Sequence, residues 1–272
     1  MQPVFSVRDV VYSYANTATP ALDHVSLTIH AGQRVAIMGA NGSGKSTLLR
    51  ILDGLYFPQS GQVDAFGHTL DEHHLLDESF AHTFRRRVAF VFQNPDIQLF
   101  NPTVFDEVAF GPLQMRWDKE TILKKVAETL DQLEISHLRD RAPHRLSGGE
   151  KKRVAIASVL VLDPEVILLD EPTAALDPRS QSRVVDFLVE WGNGKKTVIV
   201  ATHDLDTLSE IADDAYIFQN GKIVAHDTPQ ALLANQQLLR DANLIHEHVH
   251  HHDGQVHAHP HIHFGHHHHD AQ

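Results

Sequence analysis

A single lysine set in a loop with almost no side chains is the first sign of chemistry in this chain. Residues 39–47 read Gly-Ala-Asn-Gly-Ser-Gly-Lys-Ser-Thr, and five of these nine are Gly or Ser. Phosphate oxygens need several N–H donors converging on them, and only a loop without bulky side chains lets the backbone come close. Lys45 then supplies a full positive charge for the β- and γ-phosphates, and the Ser46 hydroxyl is a hard oxygen suited to Mg2+. The candidate phosphate contacts are Gly39, Asn41, Gly42, Ser43, Gly44, Lys45, Ser46 and Thr47.

Two acids follow another apolar run, Val166-Ile-Leu-Leu-Asp-Glu171. Four consecutive apolar residues suit a parallel strand covered on both faces, and acids at its carboxyl end fall where such sheets bind ligands. Asp170 is placed to hold Mg2+ through water, and Glu171 to orient or deprotonate an attacking water. His203 follows the next such run, Thr197-Val-Ile-Val-Ala-Thr202, and can reach the γ-phosphate and that water. A third element, Leu146-Ser-Gly-Gly-Glu150, opens a helix. Ser147 and Glu150 have the spacing of a capping box. Gly148 and Gly149 leave bare N–H groups at the helix start, a second anion site far along the chain. One ATP does not need both sites in one chain. Two chains arranged head to tail would let each Ser147 region close on the other's ATP.

The elements that position these residues follow from local pattern. Arg34–Met38 reads as a strand and the segment from Thr47 to Gly54 as a helix, which makes the Gly-rich loop a strand–loop–helix junction. Alternating Val25, Leu27 and Ile29 predict antiparallel strands across Val4–Ile29. Asp118–Leu133 has helical spacing at Ile122, Val126, Leu130 and Leu133. Asp177-Pro178 and Thr228-Pro229 read as caps with Pro in the first helical position, the second opening a last helix. Asn220-Gly221 is a hairpin turn. Thr103 caps a helix that Gly111-Pro112 should stop, and its Val104, Phe105, Val108, Ala109 and Phe110 offer an apolar face. That face either lines a groove for a partner helix or packs its own subdomain.

Together these motifs resemble the ATP-binding-cassette ATPases. The matches are residues 39–47, Gln93 after Val88-Ala-Phe-Val-Phe92, Leu146–Glu150, Val166–Pro172, Ala175-Leu-Asp177 and His203, spanning about Val4 to Leu233. The resemblance implies ATP and Mg2+ as cofactors, with Ser46, Gln93 and Asp170 around the ion. It implies that Tyr14 stacks on adenine, with Tyr12 the competing choice. Glu171 becomes the catalytic base, His203 the switch histidine, and Asp177 a contact to a facing protomer. Ser147, Gly148 and Gly149 close the nucleotide of a sandwich dimer. From Phe92 to Pro112 the chain is similar to the ATPases of energy-coupling-factor transporters, which import vitamins and transition-metal ions. That likeness implies an integral membrane component docked at the groove beside Gln93, and a substrate-binding membrane component reached indirectly.

The expected fold is α/β: a P-loop NTPase core with a parallel sheet, an antiparallel β subdomain and an α-helical signature subdomain at about 94–164. The expected boundaries are a nucleotide-binding domain over 1–240 and a disordered, His-rich, metal-binding tail over 241–272. From His246 to Gln272, 13 of 27 residues are His, against 10 in the first 245. Imidazole suits Ni2+, Co2+, Zn2+ and Cu2+, and the H-x-H steps place His246, His248, His250, His257, His259, His261 and His263 on alternate positions. Nickel or cobalt is the expected cargo, with the tail holding the ion as it enters the cytosol.

Composition narrows the remaining readings. A net charge of −12 and no long Lys/Arg run argue against nucleic-acid binding. Zero Cys excludes disulfides and thiolate chemistry. The first residues lack the pattern of a signal peptide, and no apolar run approaches a membrane span, so a peripheral place on the cytoplasmic face of the membrane is expected. A soluble cassette ATPase uncoupled from transport, a vitamin-importer ATPase with an incidental tail, and a metal-storage protein are the alternatives.

Overall fold

The computed structural model describes residues 3–252 and 255–261, the last two strands as backbone. Its elements run, in chain order, β1 (Pro3–Tyr12), β2 (Leu22–His30), β3 (Arg34–Met38), α1 (Lys45–Leu52), β4 (Ser60–Ala65), β5 (His68–Thr69), α2 (Glu72–Leu75), α3 (Glu78–Arg87) and β6 (Val88–Val91). Then follow α4 (Val104–Gln114), α5 (Lys119–Gln132), α6 (Gly148–Leu160), β7 (Val166–Asp170), α7 (Pro178–Trp191), β8 (Thr197–Thr202) and α8 (Leu208–Ile211). The chain closes with β9 (Asp214–Gln219), β10 (Lys222–Asp227), α9 (Pro229–Ala234), α10 (Gln236–Asp241), β11 (His246–His252) and β12 (Gln255–His261).

A six-stranded sheet in the order β10-β9-β3-β8-β7-β6 forms the centre. Its strands β6, β7, β8, β3 and β9 are parallel, and β10 is an antiparallel edge. The continuous apolar runs of these strands serve both faces, because successive residues of a strand point opposite ways. Val35 and Ile37, Val166 and Leu168, and Ile199 and Ala201 pack toward α1 and the antiparallel sheet β2-β1-β4-β5. Ala36 and Met38, Ile167 and Leu169, and Val198 and Val200 pack toward the helices α4 to α7. The α/β fold with its antiparallel and helical layers is therefore as the residues imply.

The caps hold: Ser147 and Glu150 make a reciprocal capping box, and Asp118, Asp177 and Thr228 each accept N–H bonds at a helix start. Asn220 (φ 50) and Gly221 (φ 79) make the two-residue turn between β9 and β10.

Three expectations are corrected, and one open choice is decided. Gly111-Pro112 does not stop α4, which runs to Gln114 with Pro112 inside it. Pro removes only its own N–H, and in the final turn the ladder resumes at once, with the Met115 N–H donating to Gly111 O. Of the apolar face of α4, Val104, Val108 and Ala109 pack into the protein's own core, while Phe110 stays exposed beside a surface groove. The final segment is two short helices, because Asn235 ends α9 and its side chain caps α10. Packing also continues past residue 240, since Ala242 and Ile245 are buried against the core.

The His-rich tail, expected to be disordered, runs as a two-stranded antiparallel ribbon between 246 and 261 that joins no other sheet. Its H-x-H alternation has the period of a strand. Two strands alone are marginal in water, which reconciles the ribbon with a segment that has no core of its own. His263 lies outside the described residues. Among the described residues, no helix is long and apolar enough to cross a membrane.

Candidate functional site

The Gly-rich loop turns between β3 and α1. Gly39 (φ 153) lies so close to the chain that a Cβ there would sit 2.5 Å from Phe218 O. Thr47, Lys45 and Ser43 are buried around it. This loop forms the wall of a cleft of about 620 Å3 that Tyr14, Asn41, Gly42, Gly44, Ser46, Gln93 and Glu171 also line. Tyr14 hydrogen-bonds through its hydroxyl with Thr47 Oγ1 at 2.9 Å, which holds its ring at the cleft mouth. Tyr12 does not line the cleft and instead stacks on Tyr56, with 5.3 Å between ring centroids. The geometry thus favours Tyr14 over Tyr12 for a flat ring of a ligand.

The carboxyl ends of β7 and β8 complete the site. Lys45 Nζ donates to Gly39 O at 2.6 Å and Ala40 O at 3.1 Å, with Glu171 Oε1 3.7 Å away. Burial lowers the Lys45 pKa, and the Glu171 and Asp170 carboxylates oppose that shift. Ser46 Oγ donates to Asp170 Oδ1 at 2.9 Å. Burial raises the Asp170 pKa, and the Ser46 bond works the other way. A hydroxyl and a carboxylate side by side are the hard oxygen donors that Mg2+ takes, and Gln93, whose side chain includes an amide oxygen, lines the same cleft. These residues fit that ion.

Glu171 accepts from Thr202 Oγ1 at 3.2 Å and shares a 2.8 Å hydrogen bond with His203 Nδ1. The hydrogen bond to Glu171 raises the His203 pKa above its ordinary value, against the effect of burial. Glu171 also sits at φ 45, a left-handed backbone that costs a side-chain-bearing residue free energy. That turn brings the carboxylate back over Lys45, so a strained residue stands where β7 hands over to the loop. The structure therefore brings Asp170, Glu171, His203, Lys45 and Ser46 together.

Ser147, Gly148 and Gly149 do not line this cleft. They begin α6, where Ser147 is exposed and a Cβ on Gly148 would meet nothing within 4 Å beyond its chain neighbours and its own helix backbone. Asp177, expected to face a second protomer, caps its own helix α7 through the N–H groups of Arg179 and Ser180.

Three further residues tie the site to the surface, and motif reading missed them. Lys152 is fully buried, and its Nζ donates to Phe92 O (3.1 Å) and Gln93 O (2.7 Å). Burial lowers its pKa to about 8. Gln98 accepts from Phe92 N at 3.2 Å and donates to Ala155 O at 2.8 Å. Glu107 accepts from the N–H groups of Phe100 (2.9 Å) and Asn101 (2.8 Å). Gln98, set between Ile97 and Leu99, carried a faint sequence signal, whereas Lys152 sits in a basic triplet and Glu107 follows another acid. These bonds fix residues 92–107 beside a surface groove of about 350 Å3 lined by Leu55, Phe90, Phe92, Phe100, Phe110 and Leu162. Phe100 is 67% exposed and Phe110 39%.

Residues 22–174 match the family model described as ABC transporter. The chain belongs to the ABC transporter family. It is 52% identical over 248 residues to the nickel import ATP-binding protein NikO of Rhodobacter capsulatus, covering 90% of this chain and 97% of that protein. It is 40% identical over 241 residues to the energy-coupling factor transporter ATP-binding protein EcfA of Methanothermobacter thermautotrophicus, covering 89% and 76%. Among solved structures, cbiO1 from Clostridium perfringens, part of the ABC transporter complex cbiONQ, matches with TM-score 0.76 and 36% identity over 90% of this chain and 96% of that one. The dimeric bacterial cassette MJ0796 matches with TM-score 0.73 and 30% identity over 83% and 98%. The present chain is an ATPase of this family.

Proposed function

We propose that the chain is the ATP-hydrolysing subunit of an energy-coupling-factor importer for a transition-metal ion, nickel or cobalt. The observation that carries this reading is 52% identity to a nickel import ATP-binding protein along 90% of the chain, beside a tail rich in nickel-type ligands. The cassette of residues 1–240, extended to Ile245, binds ATP. The tail binds the ion.

In this reading Tyr14 stacks on the adenine, Lys45 and the loop N–H groups hold the phosphates, and Ser46, Asp170 and Gln93 hold Mg2+. When bound, Mg2+ would supply positive charge against the charge that develops on the phosphates. Glu171 takes a proton from water, and its contact to His203 keeps its carboxylate aimed at the γ-phosphate side of Lys45. The signature residues Ser147, Gly148 and Gly149 and the loop at Asp177 lie on the surface that meets a second copy. The exposed Gly148 supports this, because its open space on its own chain leaves room for a ligand from another. The groove at Phe100 and Phe110 takes a helix of an integral membrane component, which holds the protein at the cytoplasmic face.

Two measurements test this. Glu171→Gln should still bind ATP and trap a dimer, with hydrolysis down about 10²- to 10⁴-fold. An unchanged turnover would remove Glu171 as the base. In vesicles carrying the copurified membrane component, ATP-dependent uptake of Ni2+ or Co2+ is expected. Uptake of an organic substrate without either ion would overturn the cargo.

A further inference from the structure

The register of the C-terminal ribbon sorts its histidines. Strand β11 runs antiparallel to β12 with His246 opposite His261, His248 opposite His259, His250 opposite His257, and His252 opposite Gln255. Successive residues of a strand alternate faces. One face therefore carries His246, His248, His250, His252, His257, His259 and His261, together with Gln255. The other carries Glu247, Val249, Val256, Ala258 and Pro260, with His251. A tail that was merely rich in histidine would not separate seven from one.

We propose that the rungs His248–His259 and His250–His257 form one transition-metal site of four imidazoles, and that ion binding and strand pairing are a single event. Directly opposed residues of a two-stranded ribbon lie about 5 Å apart at Cβ, and the next residue on the same face is about 7 Å along the strand. Two adjacent rungs on one face thus set four histidine positions side by side, and four is the number of ligands a tetrahedral metal site takes. The ribbon joins neither of the other sheets, and a two-stranded pair alone is marginally stable, so the ion supplies the missing stability. Imidazole nitrogen suits Ni2+, Co2+, Zn2+ and Cu2+ but not Mg2+, so this site and the ATP site do not compete for metal. Only the choice of nickel or cobalt as the resident ion rests on the cargo proposed above.

The test is calorimetric titration of the full-length protein with nickel chloride in Mg2+-containing buffer, with far-ultraviolet circular dichroism on the same samples. Two double variants each remove two histidines. His248→Thr/His259→Thr breaks a rung, and His251→Thr/His267→Thr takes one histidine from the opposite face and one from beyond the ribbon. The other ligand grouping found among residues with described side chains, Asp71, His73 and His74, is untouched in both and contributes equal background. The rung variant should bind at least about tenfold more weakly and lose the strand signal that Ni2+ induces in the parent. The control pair should bind within about twofold of the parent. Equal weakening by the two variants would show a composition-driven chelator and overturn the site. A parent that binds Ni2+ without gaining strand signal would overturn the coupling. Failure of the cargo reading looks different: the ribbon binds Ni2+ as described while vesicles take up neither Ni2+ nor Co2+.

Discussion

The two signature glycines stand next to each other and should respond in opposite ways to the same substitution. A Cβ on Gly149 would lie 2.4 Å from Ser180 Oγ and 2.7 Å from Ser180 Cβ. Ser180 cannot swing away without loss, because its hydroxyl donates to Asp177 Oδ2 at 2.6 Å and its N–H to Asp177 Oδ1 at 3.1 Å. Overpacking of this kind costs about 1–3 kcal/mol, which for a chain of this size lowers Tm by roughly 2–12 °C. Gly148 has open space at the same position and begins α6, where Ala is favoured over Gly by up to about 1 kcal/mol. Gly148→Ala should therefore leave Tm unchanged or slightly raised. Its effect belongs to the dimer. If a second copy's triphosphate closes over this helix start, the methyl group crowds it at a cost of about 1–3 kcal/mol, so hydrolysis falls roughly 5- to 150-fold. Phosphate release at saturating Mg-ATP, read beside thermal melting and ATP binding at low protein concentration, separates the cases. Parent-rate hydrolysis by Gly148→Ala would refute the seam between two copies. A parent-like Tm for Gly149→Ala would refute the packing argument.

The other expectations concern the cleft and the groove. Burial raises the Asp53 pKa to about 8 at the floor of the groove, with Arg85 opposing the shift. The folded chain then keeps a proton that the unfolded chain releases, so this stability is full below about pH 4 and is lost as pH rises through about 8. Asp53→Asn should gain on the parent by up to about 1.4 kcal/mol per pH unit in that window, and equal Tm gaps at pH 5 and 8 would contradict it. Lys152→Met leaves the Phe92 and Gln93 carbonyls without their donor at about 1–3 kcal/mol, so kcat should fall with little change in KM for ATP. Lys152→Arg should restore part of the loss, and a Met variant with parent kcat would show that the tie is only structural. Tyr14→Ala should raise KM for ATP roughly 2- to 12-fold through a lost stacking contact. Tyr12→Ala, which breaks the stack on Tyr56, should instead lower Tm, and the reverse pattern would exchange their roles.

Much of the site was legible because its chemistry is contiguous. The loop at 39–47 needs small residues, one Lys and one hydroxyl in a row, since a phosphate group spans only a few residues of backbone. Asp170, Glu171 and His203 could be placed because buried parallel strands are short apolar runs whose ends are marked by the first polar residue. The Ser147–Glu150 capping box and the Asn220-Gly221 turn are likewise closed within four residues.

Long-range packing decided the rest. Lys152 reads as one more charge in a basic triplet until α6 buries it against two carbonyls some sixty residues earlier. Of the α4 face, Val104, Val108 and Ala109 went into the core and Phe110 stayed at the groove, because an apolar stripe does not say which of two neighbours will cover it. Gly148 and Gly149 differ only through Ser180, which arrives from α7. In the tail, alternation was visible from the residues, but strand register set which histidines stand opposite one another. Sequence by itself determined the local groups able to bind phosphate, Mg2+ or a transition metal, since those depend on neighbours along the chain. Tertiary structure alone decided which groups meet, which face stays open and which charge is buried, because those depend on distances that no stretch of residues contains.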